Sequence, residues 1–474
     1  MTGSRVVSQD GQLRVGLCGA VAAGVALVLA ATYLLTTGNV LAATGLIATA
    51  MFVVALVLDF SAGAIWLLAL SVLVPNGVAL YFGPAVPLLT FQRVMLVLLV
   101  TVALAHGPGV LIRAAWDAPG VRILWAMTLV MAVSTALSRE PAVSQREFLS
   151  ERVIGLPLYF AVVWLALPSA SAAQRALRAL GHVGFGVAVL AVAEAVTGQG
   201  VVAGLHLLPP QKLQELGYQA VLERRAGFPR VESVFQHPLV LGAFLVAYVP
   251  LAASLRQHAR ASWARAYWTA STVVSLAALV LTWSRGAWVA LLVALLLLRG
   301  VGWRRWLLVS AGALAFLVVW SQLGFLQIGK VVYRWWLLSS VVSAMWGHYG
   351  FGSGPGTFVS SVVVRMAGTR MGITSADAMA YSLTSAIEAG PVFVALLWWL
   401  VLRTLGRARQ ARDVHAASGR MERAQLLDAL RAGLLANLLL SIVSSSLFGS
   451  TVGSFIAFLL LVAVARLSTP EPAP

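Results

Sequence analysis

Read as alternating apolar and polar positions, the chain is a succession of unbroken apolar runs joined by short polar turns. None of the runs alternates with period two, so they read as helices and not as strands of an outer-membrane barrel, which alternate over ~10 residues. Most are long enough to cross, or nearly cross, a hydrocarbon core of about 30 Å. The pattern predicts about fourteen transmembrane helices (12–14). They fall at Val15–Leu35, Val40–Leu58, Ala64–Phe82, Leu88–Ala105, Val121–Leu137, Val153–Leu167, Leu180–Val196, Pro238–Leu255, Ala266–Trp283, Ser284–Leu298, Trp306–Phe325, Ile387–Leu402, Leu430–Phe448 and Val452–Ala465. Two long polar stretches interrupt them, residues 198–236 and 326–386.

Composition agrees. Sixty per cent of the 474 residues are hydrophobic and 10% are charged, against about a quarter charged in soluble domains. Mean hydropathy is +0.89. A soluble fold, a disordered chain and a nucleic-acid-binding domain are excluded, which leaves an all-α polytopic membrane protein with residues 1–474 as one integral domain. The single cysteine, Cys18, excludes an internal disulfide and a cysteine metal site. The first run is long enough to span and lacks a small-residue cleavage site, so no cleavable signal peptide is expected.

Charge then orients the chain. Lys and Arg number 33 against 16 Asp and Glu, and only Lys212 and Lys330 are lysines. Alternating the loops from a cytoplasmic N-terminus puts twenty of the 33 inside, with Arg93 in a span and the other twelve outside. The dense, short inner loops favour both termini in the cytoplasm and both long loops outside. Outer arginines run against this bias. Either long loops translocate regardless of charge, or these loops bind something anionic.

Four constellations carry candidate chemistry. Arg224, Arg225 and Arg230 lie within seven residues at the end of the first loop, followed by Glu232, His237 and Pro238 at a span start. Guanidinium forks match phosphate oxygens, and an interfacial patch on lipid headgroups fits the same pattern. The turn Thr282-Trp283-Ser284-Arg285-Gly286 joins two short spans, which holds Arg285 at or below the outer interface. The second loop carries Lys330, Arg334, Trp335 and Trp336, then His348 among five glycines in ten residues, Gly347 to Gly356. Such glycines permit close approach of backbone to a ligand, and equally form a plain surface turn. Asp377, Tyr381 and Glu388 follow, the two acids about three helical turns apart. Either acid suits a general base, Asp377 suits a helix cap, and Glu388 suits a partner for an arginine. No Walker, GxGxxG, HExxH or GxSxG motif is present, and no internal repeat.

The ordered set is Arg230-x-x-Ser233-x-Phe235-x-His237-Pro238, Ser284-Arg285-Gly286, an Arg334-aromatic loop, Gly352-x-Gly354-x-Gly356-x-Phe358 and Glu388-x-Gly390. It resembles the O-antigen ligase and O-antigen polymerase superfamily of bacterial envelope glycosyltransferases over roughly Arg230 to Gly390. The resemblance implies a GT-C-like, metal-independent enzyme of the cytoplasmic membrane with its active site outside and no cofactor. It implies a donor glycan on undecaprenyl pyrophosphate, with the lipid bilayer and other polysaccharide-assembly proteins as partners and no nucleic acid. In that family the matching arginines, here Arg230 and Arg285, hold the pyrophosphate. Two departures stand out. Ser233 replaces a usual glycine, and Asp377 and Met379 lie where ligases carry a histidine. The second departure favours a polymerase that joins lipid-linked repeats ahead of a ligase, and a glycan flippase ranks third because nearly all charges lie at one face or the other. Asp377 is accordingly the expected base among Glu232, His237, His348 and Asp377. Arg224, Arg225, Glu232, His237, Arg334, His348 and Tyr381 are the expected substrate contacts.

Overall fold

The computed structural model describes residues 59–75, 79–80, 89–148, 155–204, 222–225, 227–235, 237–298, 350–357, 381–443 and 451–469. Over these the helices, in chain order, are α1 (Phe60–Leu70), α2 (Phe91–His106), α3 (Pro108–Asp117), α4 (Val121–Ala136), α5 (Pro141–Glu147), α6 (Gly155–Ala166) and α7 (Ala170–Thr197). There follow α8 (Val201–Gly204), α9 (Pro238–His258), α10 (Ser262–Leu281), α11 (Arg285–Leu298), α12 (Tyr381–Ala417), α13 (Met421–Val443) and α14 (Thr451–Leu467). Two antiparallel two-residue pairs complete the set, β1 (Ala79–Leu80) with β2 (Leu89–Thr90) and β3 (Arg224–Arg225) with β4 (Phe228–Pro229).

Among the described residues, five helices are long and apolar enough to cross a membrane: Ala170–Thr197, Pro238–His258, Ser262–Leu281, Thr384–Ala417 and Met421–Ile442. Shorter apolar helices accompany them, including Val121–Ala136 and Ile456–Leu467. The protein is thus a helical membrane protein. The expected spans Val15–Leu35, Val40–Leu58 and Trp306–Phe325 lie outside the described residues.

Several expected spans change length, each for a local reason. The run starting at Ala64 becomes a helix that begins earlier and stops at Leu70. Asp59 caps its start by accepting from the Ala62 amide at 3.1 Å. Beyond its end, the buried Gln92 donates to the carbonyls of Ser71 and Val74, at 3.1 and 2.8 Å. The run through Ala105 forms α2, and α3 then turns away by 115°. α12 begins before Ile387 and continues well past Leu402, because the polar segment beyond the membrane stays helical. There Arg412 bonds Asp428 of α13 at 3.0 Å and Arg431 bonds Asp428 at 2.8 Å.

α9 runs through the centre of the bundle and packs against α7, α10, α11, α13 and α14. Lipid supplies no hydrophobic force between helices, so close association relies on small residues and shared hydrogen bonds. The face of α7 against α9 offers the buried Gly181 and Gly184, which meet Leu255 and Tyr248. A Cβ at Gly184 would sit within 2.8 Å of three ring atoms of Tyr248. The Tyr248 hydroxyl donates to the Gly181 carbonyl at 2.6 Å and lies 2.6 Å from the Ser271 hydroxyl of α10. On the opposite side, Asn437 of α13 donates to the Ala243 carbonyl at 3.1 Å. The three-helix unit α7–α9–α10 is therefore pinned by one tyrosine.

This packing makes a differential prediction. Gly184→Ala overpacks the Tyr248 contact, a fault worth about 1–3 kcal/mol. Gly186→Ala, whose Cβ would meet only Leu73 at 3.7 Å, carries just the helix-propensity gain of about 1 kcal/mol. Thermal unfolding of the purified protein in detergent should show Gly184→Ala melting several degrees below wild type and Gly186→Ala at or above it. Equal melting of the two variants would contradict the packing.

Candidate active site

Chain direction alternates through the bundle, so the C-terminal ends of α7 and α10 meet the N-terminal ends of α9 and α11 at one face. The first loop returns across that face. Its last residues, 230–235, are buried between the helix ends. A buried loop must place its amides, and here Glu194, in the last turn of α7 and itself fully buried, takes them. Glu194 Oε2 accepts the Glu232 and Ser233 amides at 2.9 and 2.6 Å, and Oε1 accepts the Val201 amide at 2.8 Å. Ser233 adopts φ +53°, a left-handed conformation that favours glycine. Its hydroxyl donates to the Val187 carbonyl at 3.0 Å. The departure from glycine at this position thus comes with two bonds that hold the strained backbone.

Beside this lock lies the arginine cluster. Arg230 is 4% exposed. Its Nε donates to the Thr282 carbonyl at 3.0 Å, 52 residues away in sequence, and its Nη1 meets Glu223 Oε2 at 2.8 Å. The Val231 amide donates to the Leu281 carbonyl at 3.2 Å. The loop is thereby stitched to the end of α10 and to the turn that follows. Trp283 in that turn is also left-handed, φ +52°, and the Ser284 amide donates to the Thr282 hydroxyl at 3.2 Å. The turn delivers Arg285, which is exposed, as the first residue of α11. A helix start favours an anion, and an exposed guanidinium there adds a full charge. Alongside, Phe228 stacks on Trp283 at 5.8 Å and Trp283 lies 6.3 Å from Trp288, giving an aromatic wall.

A second assembly forms around Glu388. α12 is broken at Gly390 (φ 83°, ψ 164°), and Pro391 follows. The Gly350–Thr357 segment docks on this break. The Ser353 and Gly354 amides donate to the carbonyls of Ile387 and Glu388, at 2.7 and 2.9 Å, and the Gly356 amide donates to Glu388 Oε1 at 3.1 Å. The Ser134 hydroxyl of α4 also donates to the Glu388 carbonyl. Of the glycines that suit either close ligand approach or a surface turn, Gly352 approaches helix backbone, and Gly354 and Gly356 approach side chains of Ser138, Ser144 and Glu147. A Cβ at Gly352 would lie within 2.7 Å of Glu388 and Ala389 backbone.

The expected residues fare differently. Arg230 and Arg285 come together through Thr282, with Glu232 and His237 in the same loop. Arg230 pairs with Glu223 at 2.8 Å. His237 caps α9, its Nδ1 accepting from the Leu239 amide at 3.0 Å, and Pro238 takes the first turn. His237, expected among the substrate contacts, thus serves as a helix cap. Arg224 is exposed, and Arg225 is its neighbour in β3, paired with β4. Tyr381 is buried at the start of α12. Asp377, Arg334 and His348 lie outside the described residues. Glu194 is the residue that motif reading missed. Its signal was present, because it is one of two acids inside the expected spans, with Glu388. Among the described residues, no three His, Cys, Asp or Glu side chains converge to hold a metal ion. No family model and no curated protein matches the chain.

The Glu194 lock is testable. Glu194→Leu orphans three amides, of which the two buried ones, Glu232 and Ser233, cost about 1–3 kcal/mol each, so the variant should melt well below wild type. Residues 230–233 should also exchange their amide hydrogens faster. Glu194→Gln keeps one acceptor oxygen and should fall between the two. Exchange at 230–233 that matches wild type in Glu194→Leu would remove the lock.

Proposed function

We propose that the chain is a glycosyltransferase that takes its glycan from undecaprenyl pyrophosphate, and specifically a polymerase of lipid-linked repeats. The observation that carries this is the Arg230–Thr282 hydrogen bond. It joins two arginine motifs far apart in sequence into one cationic cluster at one end of the helices. A lipid pyrophosphate lies at that depth in a bilayer, with its polyprenyl chain in hydrocarbon. Arg285, exposed at a helix start, meets the pyrophosphate oxygens. Arg230 holds the turn and sets its own charge beneath it. The wall of Phe228, Trp283 and Trp288 suits stacking on a sugar face or contact with isoprene units.

In the reaction, the acceptor hydroxyl oxygen forms a bond to the anomeric carbon of the donor sugar. The bond from that carbon to the pyrophosphate oxygen breaks, and undecaprenyl pyrophosphate leaves with the electron pair. Arginine charge stabilises the negative charge that grows on the leaving group. The hydroxyl proton passes to a base, which we assign to Asp377. A carboxylate of ordinary pKa near 4 is ionised at neutral pH and ready to accept it.

Purified protein in lipid, given an undecaprenyl-pyrophosphate-linked repeat unit without nucleotide, should yield a ladder of products. Product that appears only after a second acceptor is added would make the enzyme a ligase, and no product in either case would defeat the proposal. The ladder should persist in EDTA, because arginines and not a metal meet the charge. Arg285→Ala should lower the rate by about 10²–10³, the cost of a lost oxyanion contact, and Arg285→Lys should recover little of it, lacking the fork. Asp377→Asn should bind donor and fail to transfer. Normal transfer by that variant, with loss in His348→Ala, would move the base to His348.

A further inference from the structure

The opposite end of the α7–α9–α10 unit holds a cavity that the glycosyl-transfer proposal leaves unused. α9 spans Pro238–His258, which at ~1.5 Å per residue is about 30 Å, the thickness of a hydrocarbon core. One end of α9 is the arginine cluster described above. At the other end a cavity of about 390 Å³ opens between α7, α9, α10 and the start of α13. Arg178, His182, His258, Arg260, Tyr267 and Glu422 supply its polar lining, and Leu255, Trp263 and Trp268 its apolar part.

The charges in it are unbalanced. Arg178 pairs with Glu422 at 3.0 Å, which uses the one acid among the described lining residues. Arg260 is exposed and makes no ion pair among the described residues. Arg175, Arg256 and Arg265, all exposed, occupy the same helix ends. The walls are rigid and aromatic. His182 Nδ1 lies 2.9 Å from the Tyr267 hydroxyl, and its ring lies 5.0 Å from that of Trp268. Trp263 stands 75% exposed at the rim, as interfacial tryptophans do. The N-cap of α10, Ala261, offers no side-chain bond to the first-turn amides, so the helix end adds to the positive field that the arginines make.

We infer that this cavity binds the phosphate headgroup of an anionic membrane lipid. Three observations favour a lipid over a free phosphate ion. The volume lies in the range of small-molecule sites and far exceeds one phosphate. Part of the lining is apolar, which suits a glycerol backbone and the first methylenes. The cavity also sits on the arginine-rich face, where juxtamembrane basic groups meet anionic lipid. A lipid seated here ties α10 and α13 to α7 at one face of the bundle while the candidate active site occupies the other.

The test uses the full chain purified in neutral detergent and native mass spectrometry of retained lipid. Short-chain phosphatidylglycerol and phosphatidylcholine are the probes, with inorganic phosphate as competitor. Wild type should retain phosphatidylglycerol in preference to phosphatidylcholine, and millimolar phosphate should not displace it. Arg260→Gln should weaken retention about fivefold, the worth of one basic contact at a membrane surface, and Arg178→Gln with Arg260→Gln should weaken it further. Neither residue belongs to the arginine cluster of the active site, so glycan transfer is an independent readout. Equal retention of the two lipids by wild type overturns the inference without any variant. So does undiminished retention by folded Arg260→Gln, or displacement by phosphate, which would mark a free-anion site.

Discussion

The carboxylate of Glu194 accepts three backbone amides at the end of α7, and the candidate active site is built outward from those bonds. A carboxylate buried in a helix bundle costs free energy unless its lone pairs are used. A loop buried between helix ends costs free energy unless its amides are used. Each requirement answers the other. Two residues before the held pair Glu232 and Ser233, Arg230 sets its Nε on Thr282 and its Nη1 on Glu223. The turn at Trp283 and Ser284 is then fixed, and Arg285 points out from a helix start.

That chain of dependence relies on close packing lower in the bundle. Five helices pack on α9, three of them (α7, α11 and α13) with glycines at the contact where an added Cβ would crowd the neighbour, and Tyr248 stitches α7 and α10 to α9 through its hydroxyl. In a membrane such contacts replace the hydrophobic effect as the source of association. The helix ends at the site are therefore positioned by small residues two or more turns below it.

The glycine-rich segment illustrates how similar patterns serve different ends. Glycines with aromatics between them suit a ligand surface, and here the described part of the segment lies on the break of α12. Gly390 must adopt a positive φ for the helix to break, and Pro391 has no amide to lose there. The carbonyls exposed by the break find partners in Ser353, Gly354 and Ser134. Glu388 spends its carboxylate on the Gly356 amide, an assignment nearer to a structural anchor than to a base.

What the sequence determined by itself was whatever follows from length and periodicity. Helical membrane class, the positions of α4, α6, α9, α10, α11 and α14, and the first-turn place of Pro238 were all legible, because hydrocarbon demands satisfied backbone and proline has one favoured place in a helix, whereas α7 begins ten residues before the expected Leu180. The nearness of Arg230 to Arg285 was suggested only by resemblance, since nothing local to either residue encodes it. Tertiary structure decided the rest. It brought Glu223 to Arg230, turned α3 across the end of α2, and set Glu194 under the loop. Each of these joins residues that spacing does not relate. Hydrogen-bond satisfaction in a buried site is a property of the whole assembly, and one chain segment contains only half of each bond.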